Sequence, residues 1–318
     1  MRTRPNRPHQ EEDVVTLAGK VRAAKGATSP TAELCAVIRA AETQQPERSR
    51  LLDDPFAQYF LQNWRFRTTH PFPPVFRLCL RMADRRYTGL LAEVVLRHRF
   101  CDEVVEAEVA AGCTQVVLLG AGYDTTALRH DFGPGVVVYE VDKPDTQAEK
   151  TAIMRRNSLR PKGRVQYVTC DFAAGDDLGE RLTSQGFDPA LPSVVLWMGV
   201  TYYLPGDSVL DTLGKLGAIT APGSKVVLDY MDASVVSGSG DDSARRARQL
   251  VASGGEPFVF GVESDDIRAF CDAGGFGVAE HHRIPDLLRR YGDDDRFWLT
   301  VVDYMGVVVL EKENAPAA

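Results

Sequence analysis

The chain has 318 residues, of which 44% are hydrophobic, and its formal net charge is −7. This composition supports a sizeable core in one large or two small domains, while the lack of a basic surplus argues against a nucleic-acid partner, whose phosphates need cations to neutralise them. No apolar run reaches the roughly 18 residues of a membrane span, so we expect no membrane insertion. The six cysteines are scattered, as is typical of reduced thiols, so we expect a cytoplasmic protein that is not secreted.

The first hundred residues precede the predicted sheet and have helical patterns. Residues 1–13 are polar and contain prolines, so we interpret them as a disordered tail, and we interpret residues 14–100 as a helical cap. The helices of the cap are predicted over 31–42, 54–64 and 75–100. Arg97 lies near the end of the third helix, where its guanidinium could bind a ligand carboxylate with two hydrogen bonds.

A strand that runs into a glycine turn follows the cap. Residues 115–119 form a short apolar run, the turn is Gly120, Ala121 and Gly122, and a helical pattern covers 124–129. Glycines at such a turn let a ligand approach bare backbone. The alternative is a tight bend between strand and helix that binds nothing.

Asp142 directly follows the next predicted strand, 136–141, and lies twenty residues after Gly122. A carboxylate there can accept hydrogen bonds from both hydroxyls of a ribose. A dinucleotide site would have a third glycine where this chain has Thr125, and Asp124 would repel a phosphate. The pattern therefore favours a nucleoside that carries a positive group, such as S-adenosylmethionine.

Strands and helices alternate in the rest of the chain, which predicts a parallel sheet with helices on both faces. The further strands are predicted over 165–170, 193–198 and 224–231, and the helices over 144–157, 176–185 and 206–220. Residues 232–262 are rich in serine and glycine, include a short helix at 243–252, and are predicted to form an inserted lid.

The last two predicted strands, 278–283 and 298–310, are separated by a polar loop with no helix. We expect them to pair as an antiparallel hairpin. The fold class is thus a doubly wound α/β sheet of seven mostly parallel strands, Rossmann-like, with an N-terminal helical cap and a core over residues 101–318. This architecture resembles that of class I methyltransferases.

Further candidate ligand residues lie where predicted strands end. Glu140 could support the glycine turn, Asp171 could accept from an adenine amino group, and Phe172 could give the base an apolar wall. Each carboxylate taken alone is more typical of a helix N-cap.

The fourth strand ends in an aromatic and hydroxyl-rich segment that contains Met198, Gly199, Tyr202 and Tyr203. Two interpretations suit this segment about equally well. It could line the substrate side of the site, or it could pack into the core at the edge of the sheet. The paired histidines at 281 and 282 have no cysteine or carboxylate partner at ligand spacing, so no metal site is predicted.

These segments together resemble, in order, the motifs of the leucine carboxyl methyltransferase family, which includes the enzymes that methylate phosphatase 2A and many bacterial O-methyltransferases of polyketide pathways. The segments that carry the resemblance are 31–42, 52–57, 97–103, 115–126 with Arg129, 139–142, 171–172 and 199–204. The resemblance spans nearly the whole chain.

The resemblance implies S-adenosylmethionine as the methyl donor. It places the donor carboxylate on Arg97, the methionine part at Gly120, the ribose on Asp142, and the adenine near Asp171 and Phe172.

Two positions depart from the pattern of the family. Met198 stands where the family usually has a glutamate, and Thr126 stands where bacterial members commonly have an arginine. The loss of the glutamate removes a carboxylate near the donor ammonium, so either Asp124 or a backbone carbonyl replaces it, or the rim of the site is rebuilt for another acceptor.

We therefore expect a methyltransferase that acts on a small molecule of bacterial secondary metabolism, with methylation of a carboxyl or hydroxyl oxygen favoured. Transfer to carbon or nitrogen of an aromatic or indole-type product, and a silent nucleoside-binding homologue, are the alternatives. A carboxylate acceptor needs no general base. Other acceptors need one, for which the candidates are Tyr202, Tyr203, Glu33, His70 and Asp229.

Overall fold

The computed structural model of the protein describes residues 30–313 except 88, 172–174, 254–256, 273 and 293–296. The predicted tail, 1–13, lies outside this range. No helix within the described ranges is both long enough and apolar enough to cross a membrane.

A seven-stranded sheet forms the centre of the protein. Its strands are β1 (Gln115–Leu119), β2 (Val137–Asp142), β3 (Arg164–Thr169), β4 (Ser193–Trp197), β5 (Lys225–Met231), β6 (Phe276–Arg283) and β7 (Met305–Lys312). They lie in the order β3-β2-β1-β4-β5-β7-β6. Strands β1 to β5 pair in parallel, and β7 is antiparallel to both of its neighbours. The predicted sheet and its antiparallel end are confirmed.

Helices cover both faces of the sheet and build the N-terminal region. They are α1 (Pro30–Thr43), α2 (Trp64–Thr69), α3 (Pro73–Tyr87), α4 (Leu90–Ala110), α5 (Thr126–Arg129), α6 (Pro144–Arg156), α7 (Leu178–Ser184), α8 (Gly206–Ile219), α9 (Ala233–Ser237), α10 (Asp242–Ser253), α11 (Ile267–Asp272) and α12 (Ile284–Tyr291).

The central strands β1 and β4 are buried along their whole length, as expected for parallel strands with helices on both faces. Alternate residues of β1 point into different cores. Val116 and Leu118 join the core with Phe100 of α4, and Val117 and Leu119 join the core with Leu213 of α8.

Two predicted cap helices are corrected by the structure. The region 75–100 is two helices, α3 and α4, because Gly89 adopts a left-handed φ of +92° and has Val302 packed against its bare Cα. The region 54–64 contains a 3-10 turn, Ala57–Phe60, and only the first residue of α2. The Asp54 carboxylate accepts from the backbone N–H groups of Phe56 and Ala57 and so stabilises the start of this turn.

The predicted terminal hairpin is also corrected. Strands β6 and β7 do pair, but helix α12 lies between them, and β7 begins at Met305 rather than at 298. Trp298 instead packs with the N-terminal helices and donates from Nε1 to Glu42 Oε2 at 2.6 Å. The backbone N–H of Thr300 likewise donates to Asp84 Oδ2 at 2.7 Å. These contacts with the N-terminal helices displace the segment from the sheet.

The division into cap, core and lid stays a prediction. Its boundary at residue 100 falls inside α4, whose first half packs with α1 and α3 and whose second half packs under the sheet.

Candidate active site

A cavity of about 630 Å³ opens at the carboxyl ends of β1, β2 and β4. Its volume falls within the range of roughly 300–1,000 Å³ that is usual for small-molecule sites. Helices α1 and α4 form one wall, to which they contribute Cys35, Arg39, Arg97 and His98.

Most of the predicted ligand residues line this cavity. They are Arg97, Gly120, Ala121, Gly122, Asp124, Asp142, Met198, Gly199 and Tyr203. Glu140, Asp171 and Tyr202 are not among the residues that line it, and Phe172 lies outside the described residues. Of the proposed bases, neither Glu33 nor His70 lines the cavity.

Asp142 holds the glycine turn. Its Oδ2 accepts from the backbone N–H of Gly122 at 2.5 Å, and its Oδ1 accepts from that of Lys143 at 2.7 Å. Burial raises the pKa of the Asp142 carboxyl, although both of these hydrogen bonds oppose the rise. The carboxylate is therefore fixed in place at the edge of the cavity before any ligand binds.

Gly120 cannot be replaced without strain. Its φ is +72°, and an added Cβ would lie 2.6 Å from Val200 Cγ2. We expect Gly120→Ala to lower the free energy of unfolding by roughly 1–3 kcal/mol or more, because a left-handed conformation is costly for alanine and the clash adds to that cost. Gly133→Ala is the matched control, since Gly133 has a φ of +80° but nothing within 4 Å of an added Cβ. Equal losses for the two variants in urea unfolding would show that the clash with Val200 has no effect.

Arg97 belongs to a buried charged cluster beneath the cavity. Its Nη1 lies 3.0 Å from Glu93 Oε1, 2.6 Å from Asp229 Oδ2 and 3.2 Å from the Tyr202 hydroxyl. Burial alone would lower the pKa of Arg97, but the charges of Glu93, Tyr202 and Asp229 raise it well above its ordinary value. Arg97 Nε is buried without a hydrogen-bond partner among the described residues. The Nη2 of Arg97 donates to Cys35 Sγ at 3.5 Å, so Nε is the nitrogen of this guanidinium that has no acceptor among the described residues.

The cluster holds two carboxylates against one guanidinium, and Glu93 is the one that keeps a proton. Burial raises the pKa of Glu93 from 4.5 to about 8, because the neighbouring Asp229 adds to the effect and Arg97 only partly offsets it. The folded protein therefore holds a proton that the unfolded chain releases above pH 4.5. This contribution to stability is complete below pH 4.5 and is lost as the pH rises through 8.

Glutamine resembles the protonated form of glutamate. We therefore expect the free energy of unfolding of Glu93→Gln to fall less than that of the wild type as the pH rises from about 5 to about 8. The difference between the two slopes should approach 1.4 kcal/mol per pH unit at most. Urea unfolding at a series of pH values measures both slopes. Parallel curves would mean that Glu93 is ionised throughout this range.

Arg39 joins the N-terminal helices to the glycine turn. Its Nε donates to Asp54 Oδ2 at 2.8 Å, and its Nη2 donates to the backbone carbonyl of Tyr123 at 2.6 Å. Asp54 Oδ2 also accepts from the Thr125 hydroxyl at 2.6 Å. One buried ion pair thus fixes the residues that follow the turn.

His98 lines the cavity as a neutral imidazole. Burial and then the charges of Arg39 and Arg97 lower its pKa well below the ordinary value. Its Nδ1 lies 2.6 Å from the carbonyl of Val94, so Nδ1 carries the proton and Nε2 accepts from Arg39 Nη1 at 3.0 Å. Both ring nitrogens are therefore occupied by the protein.

Asp124 lies two residues before α5, and its Oδ1 accepts from the backbone N–H of Thr126, the first residue of that helix, at 2.7 Å. Burial would raise the pKa of Asp124, but the neighbouring His98, Lys150 and Arg39 lower it overall. Glu140 forms a buried ion pair with Lys150 at 2.6 Å. Glu140 therefore has a partner inside the protein, in keeping with a supporting role.

The segment after β4 places its two tyrosines differently. Tyr203 faces the cavity, whereas Tyr202 is buried against Asp229 and Arg97. The rings of both tyrosines contact Phe258 of the predicted lid. The backbone N–H of Val259 donates to the carbonyl of Tyr202 at 2.9 Å, which ties this part of the predicted lid to the wall of the cavity.

Sequence reasoning missed Arg39, Glu93 and His98 as parts of the site and left Asp229 among the unranked bases. Glu93 and Arg97 are four residues apart on one helix, a spacing that predicts an ion pair. No pattern local to Arg39 indicates that it bonds Tyr123. No group of side chains able to hold a metal occurs among the described residues.

The sheet and the cavity together define a Rossmann-like α/β protein of the class I methyltransferase type. A solved DUF574 family protein from Streptomyces avermitilis aligns with 90% of this chain and 98% of its own, at 14% identity and a TM-score of 0.56. A solved protein from Thermobifida fusca, provisionally named a methyltransferase, aligns with 91% of this chain and 97% of its own, at 16% identity and a TM-score of 0.55. These likenesses concern the fold alone.

Sequence comparison identifies the family. The profile of the leucine carboxyl methyltransferase family matches residues 32–217. A protein of Mycolicibacterium smegmatis is 30% identical over 70% of this chain and 74% of its own length. A protein of Streptomyces avermitilis is 32% identical over 67% of this chain and 73% of its own length. A Frankia alni protein is 35% identical, but the match covers 51% of this chain and 56% of that protein. All three carry the provisional name of an S-adenosyl-L-methionine-dependent methyltransferase.

The chain therefore belongs to the leucine carboxyl methyltransferase family. It is a methyltransferase.

Proposed function

We propose that this protein transfers a methyl group from S-adenosylmethionine to a carboxyl or hydroxyl oxygen of a small molecule. The proposal rests mainly on one observation: the same cavity is lined by the glycine turn, by Asp142 and by Arg97. The Asp142 carboxylate is fixed by the backbone, and Arg97 Nε has no partner among the described residues. The family and the names of the relatives support the choice of donor.

The described residues fit this donor. Arg97 would bind the carboxylate of the methionine part, Gly120 and Gly122 would leave room beside the backbone, and Asp142 would accept from the ribose hydroxyls. Cys170 lines the cavity directly before Asp171, where we place the adenine. When bound, S-adenosylmethionine supplies an electrophilic methyl group on a positively charged sulfur.

Of the two proposed acceptors, the cavity favours a carboxylate, because a carboxylate oxygen needs no general base. The side chains expected to face the acceptor are Met198, Tyr203, Pro257 and Val259. His98 also lines the cavity, but both of its nitrogens are engaged, so it has no lone pair available to remove a proton. The protein would then accelerate transfer chiefly by holding the acceptor in line with the methyl group. Tyr203 would contact the acceptor, and Tyr202 would position Arg97.

We further propose that the acceptor is a product of bacterial secondary metabolism, that the enzyme works in the cytoplasm, and that residues 232–262 act as a lid. The bacterial relatives support the first point, and six cysteines present as free thiols are consistent with the second. The contacts of Phe258 and Val259 with the cavity wall support the third.

Calorimetry with S-adenosylmethionine and S-adenosylhomocysteine tests the donor site. We expect both to bind, and the absence of binding by either would overturn the proposal. The acceptor class is tested by incubating the protein and donor with fractionated bacterial extracts and following the mass gain of one methyl group. Saponification of the product separates esters from ethers and from methylated carbon or nitrogen. Donor binding without transfer to any fraction would favour a silent homologue.

A further inference from the structure

Helix α3 presents an apolar stripe to solvent. Val75, Leu78 and Met82 are 50%, 58% and 56% exposed, and Cys79 lies among them on the same side of the helix. The opposite side of α3 is buried in the core through Phe76. Within the described chain the helix is therefore covered on one side only, and such a concentration of exposed apolar side chains is typical of an interaction surface.

The stripe extends beyond the start of α3. The Phe72 carbonyl accepts from the backbone N–H of Phe76 at 3.0 Å, so Phe72 continues the helical spacing 72, 75, 79 and 82. Phe72 is 62% exposed, and Trp64 of the preceding helix α2 is 67% exposed. Six of the nine large apolar side chains that are exposed in the described chain lie between residues 59 and 82. The exposed apolar surface is thus concentrated in and around α2 and α3.

The charge around the stripe is positive. The segment 64–85 contains five arginines and one acidic residue, Asp84, although the whole chain carries a net charge of −7. Asp84 is buried, whereas Arg81 and Arg85 are exposed. Each of these two arginines follows a residue of the stripe by three positions on the same helix, so they flank it. The segment therefore combines apolar and basic side chains and exposes no acidic one.

We propose that α3 docks on the surface of an anionic lipid bilayer. Helices that lie on membranes place tryptophan, phenylalanine and leucine at the interface and carry arginine or lysine beside them, as the segment 64–85 does. The stems of Arg81 and Arg85 can lie along apolar surface while their guanidinium groups reach lipid phosphates. Helix α3 has 15 residues and is about 22 Å long, so it would lie along a bilayer whose hydrocarbon core is about 30 Å thick. The contact requires no inserted segment.

A second copy of the chain suits this surface less well. A symmetric dimer brings the same patch of both copies together. Arg81 and Arg85 of one copy would then face basic side chains of the other, and the segment 64–85 exposes no carboxylate that could neutralise them. The phosphates of an anionic bilayer supply the missing negative charge, and its interfacial region covers the apolar side chains.

Sedimentation with vesicles tests the contact in the full-length protein. We expect binding to vesicles of phosphatidylglycerol and phosphatidylcholine that weakens as salt is added, and weaker binding to phosphatidylcholine alone. Leu78→Glu should weaken binding to the anionic vesicles about tenfold or more, because it removes an apolar anchor and adds a repelled charge. The matched control is Leu210→Glu, which should bind like the wild type. Leu210 is 39% exposed on α8, on the other face of the sheet from α4.

The arginines are tested separately. Arg81→Gln/Arg85→Gln should bind the anionic vesicles about tenfold more weakly than the wild type, and this difference should shrink at high salt. Arg160→Gln/Arg164→Gln removes two exposed arginines at β3, on the edge of the sheet, and should bind like the wild type. Equal affinities of the two double variants would overturn the proposal.

Cys79 reports whether the lipid covers the stripe. We expect the anionic vesicles to slow the alkylation of Cys79 by iodoacetamide about tenfold, as followed by peptide mass spectrometry. The half-buried Cys113, which precedes β1, is the internal reference and should react at an unchanged rate. Binding without protection of Cys79 would place the lipid contact elsewhere in the chain and overturn the proposal.

Three further outcomes would overturn it. The first is the absence of binding to any vesicle at low salt. The second is protection of Cys79 that grows with protein concentration in the absence of lipid, which would indicate a second copy of the chain. The third is protection by soluble polyglutamate but not by vesicles, which would indicate an acidic protein as the partner.

Discussion

Replacing Arg97 by methionine should lower the free energy of unfolding by about 3–5 kcal/mol, because the change leaves a buried carboxylate without its partner. Asp229 is fully buried and lies 2.6 Å from the Arg97 guanidinium. Such a loss is a large part of the total stability of a typical domain, roughly 5–15 kcal/mol. Urea unfolding followed by circular dichroism measures it.

The double variant Arg97→Met/Asp229→Asn separates lost charge pairing from lost packing. It should be more stable than Arg97→Met alone, since no unpaired charge is left in the interior. We expect neither the single nor the double variant to bind the donor, because both lack the guanidinium that would hold its carboxylate. If the double variant is no more stable than the single one, the ion pair is not the source of the loss.

Replacing Asp142 by alanine should weaken the binding of S-adenosylhomocysteine by roughly 1.5–3 kcal/mol, or about 10- to 150-fold, through the loss of hydrogen bonds to a charged acceptor. The backbone N–H groups of Gly122 and Lys143 also lose their acceptor, so the turn should become less rigid. Calorimetry gives the affinity.

The control for this variant is Asp145→Ala, which removes an exposed carboxylate three residues further along the chain. It should bind S-adenosylhomocysteine like the wild type. Unchanged affinity in Asp142→Ala itself would place the ribose elsewhere in the cavity.

Features that depend on local pattern were predictable from the sequence. The apolar runs of β1 and β4 are buried on both faces, and the spacing from Gly122 to Asp142 brings the two residues into a hydrogen bond. Both signals arise within one strand–turn–helix–strand unit, so neighbouring residues suffice to determine them.

Features set by distant partners were not predictable. The apolar residues Trp298 and Leu299 predict the start of a strand, but in the structure they pack against helices near the N-terminus. Arg39 bonds the carbonyl of Tyr123, 84 residues away, and nothing in its own helix indicates this. Periodicity shows that a residue is buried, but it does not show against which element.

The hydrogen bond between Trp298 and Glu42 joins residues 256 positions apart, and the one between Thr300 and Asp84 spans 216. During synthesis on the ribosome, Glu42 and Asp84 have no such partners until residues 298–300 have emerged. The N-terminal helices can therefore complete their core only after more than 200 further residues have been made, and contacts of such high sequence separation should slow folding. Any nascent chain that stops before Trp298 would hold its first helices in an unfinished state that chaperones could bind.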